Sequence, residues 1–376
     1  MTKRKLFVFP SFYPAYKSGG PVRSATNLIR LLKDKYIFDV FTADRDLGEE
    51  SPFNNVEIDS WNNKYEKANV FYSSSSKHSF RKLLSVFKGR KYNTIYVNSF
   101  FNYRYAIQFV ILYKLGFLKT ESFILAPRGE LTNGAMSIKK LKKKVYLYFF
   151  RFFGLKNNIT FHFTSPQEKE ESLNFIGKSK SLLVPNMHGD LPDYIYKEKA
   201  VGELNLTFLS RISPKKNLLI ALEALSKVKI GSVIFTVAGQ VDDDAYWEKC
   251  KAKINNLPSN IKVNFIGAIN RKQVAEELFK SHMFILPTLN ENYGHAIVEA
   301  MMHSNLVLIS ENTPWTDVQS NGGCVVYHQC IDQYAEEINK ALLLDGSEFN
   351  RQSQSVYQYC NAILQSNVAS INKMFE

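Results

Sequence analysis

The chain has 376 residues, of which 45% are hydrophobic and 14% aromatic, and this length suits two domains better than one core. Its formal net charge is +13, but residues 1–200 hold 33 Lys and Arg against 17 Asp and Glu, whereas residues 201–376 hold 15 against 18. The composition indicates a soluble globular protein with one basic half, and no uncharged apolar run is long enough to predict a membrane-spanning helix.

Short apolar runs alternate with helical patterns along the whole chain, which is typical of doubly wound α/β folds. The predicted strands are 6–10, 38–42, 94–98, 123–127, 159–164, 182–185, 206–210, 233–238, 263–267, 283–287, 306–310 and 324–327. The predicted helices include 22–33, 217–227, 245–255, 271–280, 294–303 and 331–344. A composition shift at 185–203 predicts a linker between two Rossmann-like domains, 1–188 and 204–354, that face each other across a cleft.

The start of the chain and its cysteines both favour a cytosolic protein. Only four apolar residues precede Pro10, which predicts a first strand rather than a signal peptide. The four cysteines, all in the second half, form no C-x-x-C pair, so we expect reduced thiols.

The segment Lys17-Ser-Gly-Gly-Pro-Val-Arg23 follows the first predicted strand. Gly19 and Gly20 permit positive φ angles and close backbone approach, and Pro21 suits the first turn of a helix. Such a loop can place amide N–H groups against an anion or a sugar ring, although an ordinary turn is the alternative.

Arg128 follows the predicted strand 123–127, and Asn98 ends the strand before it. A guanidinium that is always charged can stabilise an anion but is a poor general base. The alternative is a structural ion pair between Arg128 and Glu130 or Glu168.

A basic and aromatic stretch, 139–153, places five lysines before six aromatic residues, and the segment 77–92 has a similar mixture. Lysines attract anionic lipid and aromatic side chains insert at the headgroup level, so an anionic membrane surface is the expected partner. The alternatives are a helix whose aromatic side is core, or a nucleic-acid surface, which no accompanying motif supports.

The segment Ser210-Arg-Ile-Ser-Pro-Lys-Lys-Asn217 links a predicted strand to a helix. It places the guanidinium of Arg211 and the ammonium of Lys216 near one helix N-terminus, which suits a diphosphate. A solvated basic helix cap is the alternative.

The segment 286–302 begins at the end of the predicted strand 283–287. Glu291 lies in a polar loop, Gly294 precedes a helical pattern, and Glu299 lies about one turn into that helix. Two carboxylates beside a helix N-terminus suit a ligand with many hydroxyl groups, because each carboxylate accepts several hydrogen bonds. Two ordinary surface glutamates are the alternative.

These motifs resemble those of family 4 glycosyltransferases, group 1 type, which are retaining enzymes of the GT-B fold. Glu291 and Glu299 match the E-x7-E signature, and Arg211 and Lys216 match the cations of the G-R-x-x-x-x-K-G motif. Ser210 and Asn217 stand where the family has glycine. The Gly-Gly loop and the strand ends 238–240 and 265–268 fall in the family's order.

The resemblance implies a role for each matched residue. Arg211 and Lys216 would bind the donor diphosphate, Glu299 the ribose, and Glu291 the hexose. Many members place a His where this chain has Arg128, so the leaving phosphate would itself accept the proton. The implied catalytic residues are Glu291, Arg128, Arg211 and Lys216. The implied donor-binding residues are Gly19, Gly20, Arg211, Lys216, Gln240, Ile266, Gly267, Asn292, Tyr293, Gly294 and Glu299.

The implied reaction transfers a sugar, with retention, from a UDP- or GDP-linked donor to a saccharide acceptor, expected to be lipid-linked, in bacterial surface polysaccharide assembly. A C-terminal helix at about 355–376 would pack back on the first domain. The enzyme would lie peripherally on the inner face of the cell membrane. No cofactor or metal is expected, since the histidines lack ligand spacing and 242–244 opens a helix. The alternatives are a GT-B phosphorylase and a non-catalytic membrane- or nucleic-acid-binding protein.

Overall fold

The computed structural model describes residues 3–18, 20–66, 68–74, 79–137, 140–186, 191–291 and 293–376. The chain divides into a first unit, Met1–Gly189 with Asn367–Glu376, and a second unit, Asp190–Ser366. The segment expected to be a linker is thus divided, and its later part groups with the second unit.

The first unit is built on a mostly parallel sheet, of eight strands within the described residues, in the order β3-β4-β2-β1-β5-β6-β7-β8. The strands are β1 (Arg4–Val8), β2 (Ile37–Ala43), β3 (Trp61–Tyr65), β4 (Ala68–Ser73), β5 (Tyr92–Val97), β6 (Thr120–Leu125), β7 (Ile159–Phe163) and β8 (Ser181–Leu183). Its helices are α1 (Gly20–Leu32), α2 (Phe80–Phe87), α3 (Gln108–Lys114), α4 (Asn133–Ser137), α5 (Lys140–Phe152) and α6 (Pro166–Ile176), with a π-helical turn at Tyr103–Ile107. Among the described strands of this sheet, only β3, at the edge, runs antiparallel to its neighbour.

The second unit has a parallel sheet, of six strands within the described residues, in the order β11-β10-β9-β12-β13-β14. These are β9 (Glu203–Leu209), β10 (Ser232–Ala238), β11 (Ile261–Gly267), β12 (Met283–Leu286), β13 (Leu306–Ser310) and β14 (Cys324–Val326). The helices are α7 (Leu218–Leu225), α8 (Asp244–Ile254), α9 (Arg271–Lys280), α10 (His295–Met302), α11 (Ile331–Leu343) and α12 (Gly346–Phe375), with 3₁₀ turns at Pro214–Lys216 and Thr316–Asn321.

Both sheets are buried on both faces, which explains why their central strands have nearly continuous apolar sequences. In β1, Leu6 and Val8 join one apolar cluster, while Phe7 joins the cluster on the other face. All four residues of β12 are buried. Parallel sheets covered by helices on both sides have this pattern, and they place all strand carboxyl ends along one edge.

The C-terminal helix is longer than the expected 355–376, because it begins at Gly346. Its residues up to Ser366 belong to the second unit, and its last turns belong to the first. There, Ile371 and Phe375 are buried in the same apolar cluster as Phe7. None of the helices in the described parts of the chain is both long and apolar enough to cross a bilayer.

Candidate active site

The carboxyl ends of β9, β10 and β11 are joined by backbone hydrogen bonds. Gly239 N–H donates to the carbonyl of Gly267, 2.8 Å away, and Ile212 N–H donates to the carbonyl of Gln240, 2.8 Å away. Gly239 has a φ of +152°, and a Cβ added there would lie 1.8 Å from the Ser210 carbonyl oxygen. Glycine is therefore required at 239, because two strand-end loops touch through their backbones at this position.

Each predicted diphosphate-binding cation is paired with a carboxylate. Arg211 Nη1 lies 2.6 Å from an Asp242 oxygen, and its side chain remains 59% exposed. Lys216 is buried and pairs with Glu291, its Nζ contacting the Glu291 Oε2. The structure therefore brings together Lys216 and Glu291, two residues that were predicted from separate motifs.

The backbone around Lys216 explains how it reaches Glu291. The Lys215 carbonyl accepts hydrogen bonds from Leu289 N–H at 2.9 Å and from the Thr288 hydroxyl at 3.1 Å. Asn217, which directly follows Lys216, has φ 59° and ψ 41°. Asparagine is among the few non-glycine residues that tolerate this left-handed conformation, so it can replace the family's glycine here.

The loop of Glu291 leads into α10 through Gly294. Glu291 N–H donates to the Asn312 carbonyl at 2.9 Å, which ties the loop to the segment after β13. Gly294 has a φ of +76°, and a Cβ added there would lie 2.8 Å from Ile297 Cδ1 and 3.1 Å from Glu291 Cγ. Glycine therefore fits both the backbone angle and the space beside Glu291. The predicted ligand Asn292 lies outside the described residues.

The other predicted donor ligands of this unit surround the same strand ends. Glu299 is half-buried in the second turn of α10, and Gln240 is exposed. Tyr293 is buried, which raises the pKa of its hydroxyl, and its carbonyl accepts a hydrogen bond from the indole of Trp315. Tyr293 therefore stabilises the loop between β12 and α10 through its buried side chain and its hydrogen bond to Trp315. At the end of β11, the exposed Ile266 provides an apolar surface.

The Gly-Gly loop of the first unit is only partly described, because Gly19 lies outside the described residues. Gly20 is the first residue of α1. Tyr16 and Lys17 donate their backbone N–H groups to one Asp46 oxygen, at 2.8 and 3.0 Å. Those two amides are therefore occupied by a carboxylate of the protein itself.

Arg128 lies at the carboxyl end of β6 and bonds to neutral groups. Its guanidinium donates to Asn98 Oδ1, at 2.5 Å, to Asn186 Oδ1 and to the Tyr96 hydroxyl. Arg128 has a φ of 55°, an uncommon left-handed conformation for a residue other than glycine.

The predicted alternative, an ion pair of Arg128 with Glu130 or Glu168, is not what the described residues show. Glu130 accepts hydrogen bonds from the backbone N–H groups of Phe100 and Phe101, at 2.8 and 2.7 Å. Glu168 accepts them from Gly129 and Thr164. Both carboxylates fix loops, so the Arg128 charge has neutral partners and can attract an anion.

Two residues behind Arg128 were not predicted as part of the site. His162 Nε2 lies 2.7 Å from the Val184 carbonyl and must carry a proton there, so Nδ1 accepts from the Tyr96 hydroxyl at 2.9 Å. Burial, followed by the Arg128 charge, lowers the pKa of His162 to about 3, so the ring is neutral. The Tyr96 oxygen is then left to accept from Arg128. The sequence predicts that Tyr96 and His162 are buried, because both lie in apolar strands, but it does not predict the hydrogen bond between them.

The three aspartates of the acidic segment 242–244, after β10, have different structural roles. Asp243 caps α8 by accepting from Tyr246 N–H, Asp244 begins the helix, and Asp242 pairs with Arg211. No group of three or more His, Cys, Asp or Glu suited to holding a metal ion occurs among the described residues.

Comparison with known proteins finds one matching family model and several solved structures of similar fold. Residues 196–358 match the family model described as glycosyl transferases group 1. No curated protein sequence matches the chain. Among solved structures, HepE of Anabaena in complex with UDP and glucose is 14% identical, with a TM-score of 0.70 and coverage of 99% of this chain and 98% of HepE.

Two further structures are similar over nearly their whole length. Sucrose-phosphate synthase from Thermosynechococcus elongatus is 14% identical, with a TM-score of 0.70 and coverage of 99% of this chain and 98% of the synthase. WaaG, a glycosyltransferase involved in lipopolysaccharide biosynthesis, is 14% identical, with a TM-score of 0.61 and coverage of 97% of each chain. The predicted α/β fold of GT-B type is confirmed. The chain therefore has a GT-B fold, and its match to the glycosyl transferases group 1 model over residues 196–358 indicates a glycosyltransferase.

Proposed function

We propose that this glycosyltransferase is a retaining enzyme of family 4 type that uses a UDP- or GDP-linked sugar. The observation that carries the proposal is the pairing of Lys216 with Glu291 beside the left-handed Gly294, at the carboxyl edge of a parallel sheet. A cation, a carboxylate and a helix start at one position suit a ligand that is both anionic and rich in hydroxyl groups. HepE, which shares the fold, has been crystallised with UDP-glucose.

In the proposed reaction, Arg211 and Lys216 hold the donor diphosphate. The bond between the anomeric carbon and the diphosphate oxygen breaks, and the acceptor hydroxyl bonds to that carbon from the same face. The hydroxyl proton passes to the departing phosphate. Cations fixed where the charge develops can lower the barrier by several kcal/mol. Arg128 would stabilise anionic charge and would not act as a base.

The remaining proposed donor contacts are with the hexose, the ribose and the base. Glu291 would accept hydrogen bonds from hexose hydroxyl groups, with the amides of Asn292, Tyr293 and Gly294 beside it. Glu299 would bind the ribose, and the exposed Ile266 with Gln240 and Gly267 would lie against the base. Gly19 and Gly20 remain predicted donor ligands of the first unit. The proposed reaction requires no metal or other cofactor.

For the acceptor, we propose a lipid-linked saccharide used in surface polysaccharide assembly, with the enzyme peripheral on the inner face of the membrane. The excess of 33 basic over 17 acidic residues in 1–200 supports a polyanionic surface as partner. WaaG, another structure of this fold, is described as acting in lipopolysaccharide biosynthesis.

Nucleotide binding by charge variants tests the donor site. Arg211→Ala and Lys216→Ala should each weaken UDP or GDP binding by about 10- to 100-fold, because each removes a charge-assisted contact with the diphosphate. Isothermal titration calorimetry with both nucleotides measures this directly. Lys227→Ala, which removes an exposed ion pair with Asp332 in the same unit, is the matched control and should leave affinity unchanged. Unchanged affinity in both site variants would contradict the proposed donor site.

A further inference from the structure

Helix α5 exposes a continuous apolar face. Six large apolar side chains on the helix and its C-terminal neighbour are between 47% and 78% exposed: Leu141, Val145, Tyr148, Phe149, Phe152 and Phe153. Their spacing of three and four residues places them on one side of a helix. We call them the α5 stripe. Its aromatic members also touch each other, with ring centroids of Tyr148 and Phe152 5.9 Å apart.

The opposite face of α5 is well packed, so the exposure of the stripe is not a consequence of a loosely held helix. Leu147 and Phe150 are buried in the first-unit core, and the Phe150 and Phe100 ring centroids are 5.0 Å apart. The other basic and aromatic segment, 77–92, contains α2 and differs in the exposure of its large apolar side chains. In α2, Leu83 and Phe87 are buried in the same core. Only α5 of these two helices therefore combines a core-facing side with an exposed apolar side.

Cations flank the α5 stripe on both sides. At about 100° per residue, Lys142 lies along one edge of the stripe, and Lys144 and Arg151 lie along the other. All three side chains are exposed. A helix with an apolar face bordered by cations is the arrangement that lies in the plane of an anionic membrane surface.

We propose that α5 is a membrane-docking helix whose stripe inserts into the headgroup region of an anionic bilayer. A second copy of this chain is a poorer occupant, since pairing two stripes would bring their flanking cations together. A nucleic acid would match the cations but would leave the apolar side chains in water. An anionic bilayer satisfies both parts of the surface.

The proposal deepens the proposed function, on which it rests for the acceptor. The core side of α5 packs on the segment after β5, where Lys143 Nζ lies 5.0 Å from the Phe101 ring centroid. Glu130, two residues after Arg128, fixes the Phe100 and Phe101 amides. A docked α5 therefore holds the strand edge that carries Arg128 near the membrane surface, where an acceptor with a lipid-linked diphosphate would be presented.

Vesicle flotation tests the docking. The wild-type chain should float with phosphatidylglycerol-containing vesicles in about 0.1 M salt and bind neutral phosphatidylcholine vesicles much more weakly. The triple variant Tyr148→Ser, Phe149→Ser, Phe152→Ser should lose at least tenfold in partition. Lys142→Glu with Lys144→Glu should lose the preference for anionic lipid. The matched control, Phe279→Ser with Leu343→Ser, removes two exposed apolar side chains from the second unit and should float like the wild type.

A second measurement does not depend on the folding of the triple variant. Tyr148→Trp places an indole within the stripe, and vesicles with brominated acyl chains should quench its added fluorescence. Absence of quenching, flotation unaffected by the triple variant, or equal binding to neutral and anionic vesicles would each overturn the proposal. Nucleotide titration of the same samples separates the two proposals. A chain that floats but binds no UDP or GDP retains the docking helix and loses the proposed donor site.

Discussion

Single backbone positions determine the shape of the proposed donor loops. Asn217 and Gly294 both adopt left-handed angles, and Gly239 allows the β9 and β10 loops to touch. The family pattern has glycine where this chain has Asn217, and the φ of 59° places Asn217 in the left-handed region, which glycine adopts readily and asparagine tolerates. At Gly239, by contrast, the nearby Ser210 carbonyl leaves no room for a side chain.

Gly294→Ala should destabilise the protein by about 1–3 kcal/mol, because alanine must adopt a positive φ and its Cβ would crowd Ile297 and Glu291. Urea unfolding measures the effect. Gly134→Ala is the control, since Gly134 lies in α4 with open space around its Cβ position, and this change should be neutral or slightly stabilising. Equal effects of the two changes would contradict the argument from crowding.

Glu291→Gln should lower turnover by about 100-fold, because a neutral amide is a weaker acceptor for the hexose hydroxyl groups in the transition state. Binding of free nucleotide should stay the same or strengthen, since the change also releases Lys216 from its ion pair. Steady-state kinetics and calorimetry measure the two effects. Glu248→Gln, on the exposed face of α8, is the control. Loss of nucleotide binding instead would mean that the roles of Glu291 and Glu299 are reversed.

At the scale of elements, the apolar periodicity predicted α1, α7 to α11 and, within the described residues, every strand of the two sheets except β3 and β4. The hairpin of β3 and β4 was not predicted. In β3, Asn62, Asn63 and Lys64 interrupt the apolar alternation, and the strand is held at the sheet edge by antiparallel pairing with a shifted register. Edge pairing of this type depends on a neighbouring strand and not on the local sequence.

Helix α5 shows a second limit of sequence reasoning. Residues 145–150 are all apolar or aromatic, so the sequence could not distinguish Leu147 and Phe150, which are buried, from Tyr148 and Phe149, which are exposed. The site shows the same limit. Lys216 and Glu291 were both predicted, but they are 75 residues apart in sequence, and their direct pairing depends on tertiary structure. The neutral partners of Arg128 come from two other parts of the chain, β5 with the residue after it and the segment after β8.

At the scale of the whole molecule, each unit buries a neutral histidine. Burial lowers the pKa of His162 to about 3 in the first unit and that of His282 to about 4 in the second. His282 Nδ1 accepts from Asn205 N–H at 3.0 Å, and Nε2 donates to the Glu198 carbonyl at 2.9 Å. Protonation would therefore break a hydrogen bond in each unit.

These histidines predict acid sensitivity. In the unfolded chain they take up a proton below about pH 6.5, whereas in the folded chain they do not until about pH 4 to 3. The free energy of unfolding should therefore fall as pH falls through this window, by about 2 kcal/mol for each histidine between pH 6.5 and 5. His162→Gln and His282→Gln should each flatten the pH dependence in denaturant unfolding at pH 7, 6 and 5. Variants as acid-sensitive as the wild type would contradict this assignment.

The ion pairs Arg211–Asp242 and Lys216–Glu291 mean that the proposed donor loops already carry their own counter-charges. A diphosphate that enters them exchanges partners with two carboxylates, rather than meeting bare cations. Added salt weakens the old pairs as well as the new ones, so the two effects partly cancel. In the proposed docking, the exposed cations that flank α5 would attract lipid directly. Ionic strength should thus release the enzyme from a membrane before it releases the nucleotide from the enzyme.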